Sequence, residues 1–217
     1  MPLSINTNIA SIAAQRSFLT SNQALETAYE RLATGKRINS SVDDAAGLAI
    51  GTELTSRVRG LNQAVRNVND GISMLQIAEG AFDEVTTILQ RLRDLAVQGA
   101  NDSLGTDEVG YLTTEHGKLV GALTDAIGQA KFGSRDLVDD SSAVSLTLHS
   151  GPDSGDTIAL SFGTTSVNTA ANLGVATTSF TMGSAAAITF VDGALDAVAG
   201  HRATLGAQQA QLESTVR

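Results

Sequence analysis

Ile5, Ile9, Ile12 and Leu19, then Phe18, Leu25 and Leu32 at steps of seven, put apolar residues at helical intervals over residues 4–34, with a change of phase midway. Gly35 predicts the stop of this first helix. The stretch TGKRINSSVDD then reads as a turn, in which Ser41, three residues before Asp44, resembles a capping box that opens a second helix. Asp43 and Asp44 also suit the positive end of that helix's dipole. The clearest periodicity follows, because Leu54, Val58, Leu61, Val65, Val68, Ile72 and Leu75 alternate steps of four and three, a heptad seam. The stripe resumes at Ala78, Phe82, Val85, Leu89, Leu92 and Ala96 after two consecutive steps of three, a local phase slip. Continuous to about Ala100, this helix would run on the order of 85 Å at the α-helical rise, more than a compact globule of this size needs.

GANDSLGTDE interrupts the pattern with Gly99, Asn101 and Gly105 and offers Thr106 as a cap. A third helix is expected on Leu112, His116, Leu119, Leu123, Ala126 and Ala130, folding back along the second. From about Lys131 the character changes: VSLTLHS and TIALSF alternate apolar and polar residues around SGPDSGD, which predicts a β-hairpin. A last helix is expected near Val191, where Val191, Leu195, Val198, Arg202, Leu205, Gln209, Leu212 and Val216 keep the four-three alternation to the final residue. The expected fold is mainly α: an elongated rod of long antiparallel heptad helices with a small insert containing a β-hairpin. Its segments are residues 1–42, a terminal helix and turn; 43–140, the rod helices; 141–190, a short β-rich variable segment; and 191–217, a rod helix whose pattern is cut before a natural stop.

Composition narrows the function. The 217 residues carry 14 Lys plus Arg against 23 Asp plus Glu, a net charge of −9, and the basic residues are scattered, which disfavours a nucleic-acid partner. Only 4% of residues are aromatic, so the core must be built from Ala, Leu, Ile and Val. There is no Cys, which excludes disulfides and thiolate chemistry. No window approaches a membrane-spanning apolar run, and the start lacks the basic and apolar blocks of a cleavable signal peptide, so no membrane partner is expected and export would need another route.

Candidate chemistry is sparse. His116, His149 and His201 lie far apart and none belongs to a metal-ligand pair. The acidic pairs Asp43/Asp44, Asp83/Glu84 and Asp139/Asp140 are adjacent in sequence, so on a helix they diverge rather than converge on a substrate. Asp153 and Asp156 read as hairpin-turn residues rather than a calcium loop, which would need alternating ligands and a later bidentate Glu. No metal, cofactor or catalytic set is expected. The first helix stands apart: Ile5, Ile9 and Ile12 have no evident partner in the chain, which argues for assembly with something else.

The segments SINTNIASIAAQR, LETAYERLATGKRINSSVDDAAGLAI and GLNQAVRNVNDGISMLQIAEGAFDEVTTILQRLRDLAVQGAND resemble the N-terminal conserved region of bacterial flagellin. KFGSRDLVDD resembles that family's TxFNGxxLLDG segment, with Phe132 and Gly133 matching and the Asn absent, and GALDAVAGHRATLGAQQAQLESTV resembles the first part of its C-terminal conserved region. The resemblance implies a non-enzymatic, self-assembling filament subunit for motility, extracellular in the flagellum. It also implies passage through the flagellar type III export apparatus and contact with other flagellin subunits and with hook-filament junction proteins. A junction protein of the same superfamily is the alternative, disfavoured by the RINSSVDDAAG block. The family's C-terminal region continues beyond the counterpart of Arg217, so this chain alone is expected not to build ordered filaments.

The resemblance also carries over a face for the vertebrate innate-immune flagellin receptor. Arg91, Leu95 and Gln98 in QRLRDLAVQ match the receptor-contacting residues of one helix, and Glu115 matches that of the next. An exposed Arg, Leu and facing carboxylate would make a binding hot spot. The other reading is a surface ion pair of little energetic weight.

Overall fold

The computed structural model describes residues 8–138, 144–162, 170–171, 173–176 and 182–217. Ile5 therefore lies outside the described residues. The chain divides into two compact units, Met1–Arg59 and Gly60–Arg217.

In the first unit, Asn8 caps helix α1 (Ile9–Thr34) by accepting the N–H of Ser11 at 3.2 Å, and Gly35 ends it with φ +66°, the left-handed conformation that only glycine adopts without strain. None of the α1 residues is buried. The turn that follows is closed by Asp43, whose carboxylate accepts the backbone N–H groups of Asn39 and Ser40, each at 3.1 Å. Helix α2 (Ala45–Gly99) then opens on Asp44, which accepts the Gly47 N–H at 2.8 Å. The expected capping box is thus shifted: Asp44 is the cap itself, because the Asp43 turn delays the helix by three residues relative to a cap at Ser41.

In the second unit α2 is packed by two helices. Helix α3 (Thr106–Gly128) folds back along it, as the Arg91–Glu115 contact across the connection requires. Gly105, not Thr106, occupies the cap position and makes no side-chain cap bond. Helix α4 (Ala185–Val216) runs antiparallel to α2, since Asp192 meets Arg93 while Arg202 meets Asp83 and Glu79. It starts six residues before the expected Val191, because Ser184 accepts the Ala186 N–H at 3.2 Å and caps it there.

Val68, Leu75, Ala78, Phe82, Val85, Leu89, Leu92 and Ala96 of α2 are buried with Leu123 of α3 and Val191, Val198, Leu205 and Leu212 of α4 in one apolar cluster. Each large side chain so buried contributes about 1.5–3 kcal/mol. The phase slip at Leu75–Ala78 is absorbed without a break, as α2 stays helical through it. The upstream part of the predicted seam departs from expectation. Leu54 and Val58 are each 56% exposed, and Leu61 and Val65 are exposed as well. Burial begins at Ala64 and Val68, near where Asn67 meets the hairpin at His149 and where Leu212, the last buried residue of α4, stands with Leu148 beside Gly71.

The predicted hairpin forms from β3 (Ser145–His149) and β4 (Thr157–Ser161), with Leu146 opposite Leu160 and Leu148 opposite Ile158. Asp156 accepts the Asp153 N–H at 3.2 Å inside its turn, as an ordinary turn residue does. An earlier two-residue ladder, β1 (Lys131–Phe132) with β2 (Arg135–Asp136), folds the KFGSRD segment around Gly133 at φ +62°.

Candidate interaction surfaces

Arg91 and Gln98 are exposed on α2, and Glu115 is half-buried on α3. The Arg91 guanidinium donates to one carboxylate oxygen of Glu115 through Nε at 3.1 Å and Nη2 at 2.5 Å. Sequence and structure thus agree that Arg91 and Glu115 face each other across the two helices. Leu95 does not join them: it is 0% exposed, inside the core cluster. The reason lies in the width of the α2 apolar face. A helix flanked by two others buries two stripes, and Val85, Ile88, Leu92, Leu95 and Gly99 form a second one beside Phe82, Leu89 and Ala96. The expectation of an exposed Leu95 is corrected on this point.

Ile9 and Ile12 are exposed, at 79% and 45%, along with Phe18, Leu19, Leu25 and Leu32 of the same helix. Ile50, Leu54 and Val58 continue this exposed apolar character into the first part of α2. Apolar residues set this densely on a helix call for a covering surface.

Two residues that sequence reading placed among possible chemical groups are buried structural histidines. His201 on α4 places its Nε2 2.9 Å from the carbonyl oxygen of Phe162 and its ring edge-on to Phe82 at 5.0 Å between centroids. His116 on α3 is 1% exposed and bonds the backbone of Val175. Burial lowers its pKa below the ordinary histidine value, with the Val175 bond opposing the shift. The place of His116 in the α3 stripe was an available sequence signal, whereas the expected α4 stripe runs through Arg202 and the structure buries His201, one position earlier, in its stead. Among the described residues no group of three His, Cys, Asp or Glu side chains is placed to hold a metal ion, and no helix is long and apolar enough to cross a membrane.

Long helices buried along shared seams, a docked hairpin and extensive exposed apolar helix faces define a helical protein of the structural kind. A family model described as the bacterial flagellin N-terminal helical region matches residues 5–143, and the chain belongs to that family. It is 48% identical over 141 residues to the B-type flagellin of Pseudomonas aeruginosa, covering 65% of this chain and 29% of that one. It is 42% identical over 163 residues to flagellin B of Vibrio cholerae, covering 75% and 43%. The chain therefore spans less than half the length of these curated relatives. A crystal structure of Bacillus cereus flagellin is similar with a TM-score of 0.57 at 26% identity, over 70% of this chain and 87% of that one.

Proposed function

We propose that this sequence belongs to a structural, non-enzymatic subunit of an extracellular bacterial flagellar filament, one that assembles with other flagellin subunits. The observation that carries this reading is the exposed apolar face of α1 and of the first part of α2, from Ile9 to Val58. Burial of that face against neighbouring subunits would supply the driving force for assembly. Export through the flagellar type III apparatus and contact with hook-filament junction proteins belong to the same reading and rest on family membership. Because the sequence has no cysteine, Leu54→Cys or Val58→Cys introduces a single reactive thiol. In filaments from the producing bacterium these thiols should be shielded from a maleimide reagent and should cross-link to a neighbouring subunit. Thiols that label as fast in filaments as in monomers would refute the reading.

The second element of the proposal is a receptor face on Arg91, Gln98 and Glu115, with Leu95 acting beneath it as a packing residue rather than a contact. Its support is the arrangement of an exposed guanidinium and carboxylate on adjacent antiparallel helices, joined by two short bonds. Arg91→Ala should reduce signalling in cells bearing the vertebrate flagellin receptor while leaving helix content by circular dichroism unchanged. Equal signalling by Arg91→Ala, Glu115→Ala and the unaltered chain would exclude this face.

A further inference from the structure

The seam between α2 and α4 repeats every seven residues on both sides. Val68, Leu75, Phe82, Leu89 and Ala96 are buried on α2, and Val191, Val198, Leu205 and Leu212 are buried on α4. Leu61 continues the α2 series one heptad upstream, yet it is exposed, as is Val65 one turn further on. A strict apolar repeat does not choose its own alignment. Slid by seven residues toward the start of α2, each buried α4 residue would meet the next member of the α2 series, and Leu61 would be covered in exchange for Ala96. Leucine buries more apolar surface than alanine, so apolar matching alone does not select the observed alignment.

Two ion pairs of opposite sense do distinguish the alignments. Arg93 of α2 donates through Nε to Asp192 of α4 at 2.7 Å. Arg202 of α4 reaches Asp83 of α2 through Nη1 at 3.0 Å, with Glu79 4.0 Å from Nη2. Asp83 and Arg93 are ten positions apart on α2, as are Asp192 and Arg202 on α4, so one antiparallel alignment satisfies both pairs. Arg202 also occupies a position of the apolar four-three pattern of α4, and a polar residue in a seam is a known means of specifying register.

We propose that the Arg93–Asp192 and Arg202–Asp83 pairs fix the register of α4 on α2 and thereby keep Leu61 and Val65 uncovered for a neighbouring subunit, the last consequence resting on the assembly role proposed above.

In the slid alignment Asp192 would stand at the level of Thr86 and Arg93 at that of Ala185, while Arg202 would leave Asp83 for the level of Gln76 and keep only Glu79 within reach. The opposite slide would bring Gln209 to Asp83 and Ala199 to Arg93, and would uncover Val68. Each pair is about half exposed, and such pairs add little to overall stability. Register is decided by a difference between alignments, in which the nearly equal apolar contributions cancel and the charges remain. The hairpin bridges the two helices as well, at Asn67 of α2 and at His201 and Gln208 of α4, so it is the competing determinant.

Spin labels separate the two. The sequence has no cysteine, so Gln90→Cys and Ala210→Cys, both at exposed positions, place one label on each helix of the intact chain. Their separation in the monomer, read by double electron–electron resonance, should change by about 10 Å for a slide of one heptad, lengthening toward the start of α2. With all charges in place one distance is expected. Asp83→Asn with Asp192→Asn, isosteric and on exposed side chains, should raise a second, longer distance, each lost pair shifting the register equilibrium by up to about fivefold. Asp192→Arg, which repels Arg93, should enlarge that population. Arg93→Asp with Asp192→Arg restores the pair in reversed sense and should return the single distance. One unchanged distance in both the neutralised and the Asp192→Arg chains would assign the register to the hairpin and overturn the proposal, as would a longer distance that persists in the charge swap. Circular dichroism confirms that each variant is folded. Because the distances are read on monomers, their outcome is independent of the cross-linking test of assembly.

Discussion

Leu95 and Arg91 sit one helical turn apart and do different work. Leu95→Ala removes a fully buried side chain and should cost about 2–5 kcal/mol in a denaturant melt, as other buried Leu-to-Ala changes do. Arg91→Ala breaks a half-exposed ion pair, and such pairs contribute about 0–1 kcal/mol. A receptor assay on Leu95→Ala alone therefore confounds lost stability with lost contact, whereas the arginine and glutamate variants separate them. Asp43 makes a second residue-scale prediction. The backbone N–H groups of Asn39 and Ser40, with the Arg31 guanidinium behind them, hold its carboxyl below the ordinary aspartate value. A depressed folded-state pKa contributes order above the ordinary aspartate range that disappears as pH falls through the lower folded value. Amide exchange at Asn39 and Ser40 should accelerate in that acid window and not above it, and Asp43→Asn should remove the effect.

At the scale of elements, the β3–β4 hairpin is held to the helices by Leu148 and Leu160, which are buried in the core cluster, and by side-chain hydrogen bonds to its backbone. Asn67 on α2 donates to the His149 carbonyl at 3.1 Å, and the Gln208 side-chain amide pairs with the N–H and C=O of Ser161 at 3.1 and 3.2 Å. His201 meets the Phe162 carbonyl in the same row. Close approach depends on glycine: a methyl group at Gly71 would overlap Leu148, with Leu212 and Leu160 immediately beyond, and one at Gly60 would press on Pro152. Gly71→Val should therefore lower stability by about 1–3 kcal/mol through overpacking, despite the general preference of helices for residues other than glycine. Loss of the Asn67–His149 bond, seen as faster exchange across Ser145–Ser161, would locate the damage at the hairpin. A stability equal to that of the unaltered chain would show that the hairpin does not press on α2. Asp44 sets the other end of the long helix, and Asp44→Ala should cost about 1 kcal/mol, read as fraying of the first turn of α2.

At the scale of the whole molecule, the buried residues among those described all lie in the unit Gly60–Arg217, from Ala64 of α2 to Leu212 of α4. In the other unit α1 has no buried residue, and a helix of its 26 residues without tertiary packing is marginal in water. In a dilute monomer the amides of Ile9–Thr34 should exchange orders of magnitude faster than those of Leu75, Leu89 and Leu123. Strong protection across α1 in the monomer would mean that its apolar face is already covered. The same amides should become protected on assembly if the proposed filament role is right.

Much of this architecture was legible from periodicity, because each helix and the hairpin are specified locally. Steps of three and four around Phe82, Leu89 and Leu92 can bury one face only as a helix, Gly35 can only end one, and the alternation on either side of SGPDSGD suits a strand pair. The facing of Arg91 and Glu115 came from the family resemblance together with a short loop. What the sequence alone left open was which apolar stripes would find partners. Leu54 and Leu89 occupy equivalent places in a repeating pattern, yet one is exposed and the other wholly buried. The difference is made by segments distant in sequence: buried residues of α2 begin at Ala64, where the hairpin reaches Asn67 and Gly71 and where Leu212 of α4 stands beside Gly71. Leu95, which the family resemblance makes an exposed contact, is buried for a related reason: α2 is flanked by two helices and buries two stripes. The burial of His116 and His201 likewise depends on Val175 and Phe162, brought to them from the segment between the hairpin strands and α4. Local spacing specifies which face of an element is apolar; only the packing of distant segments determines whether that face is core or surface.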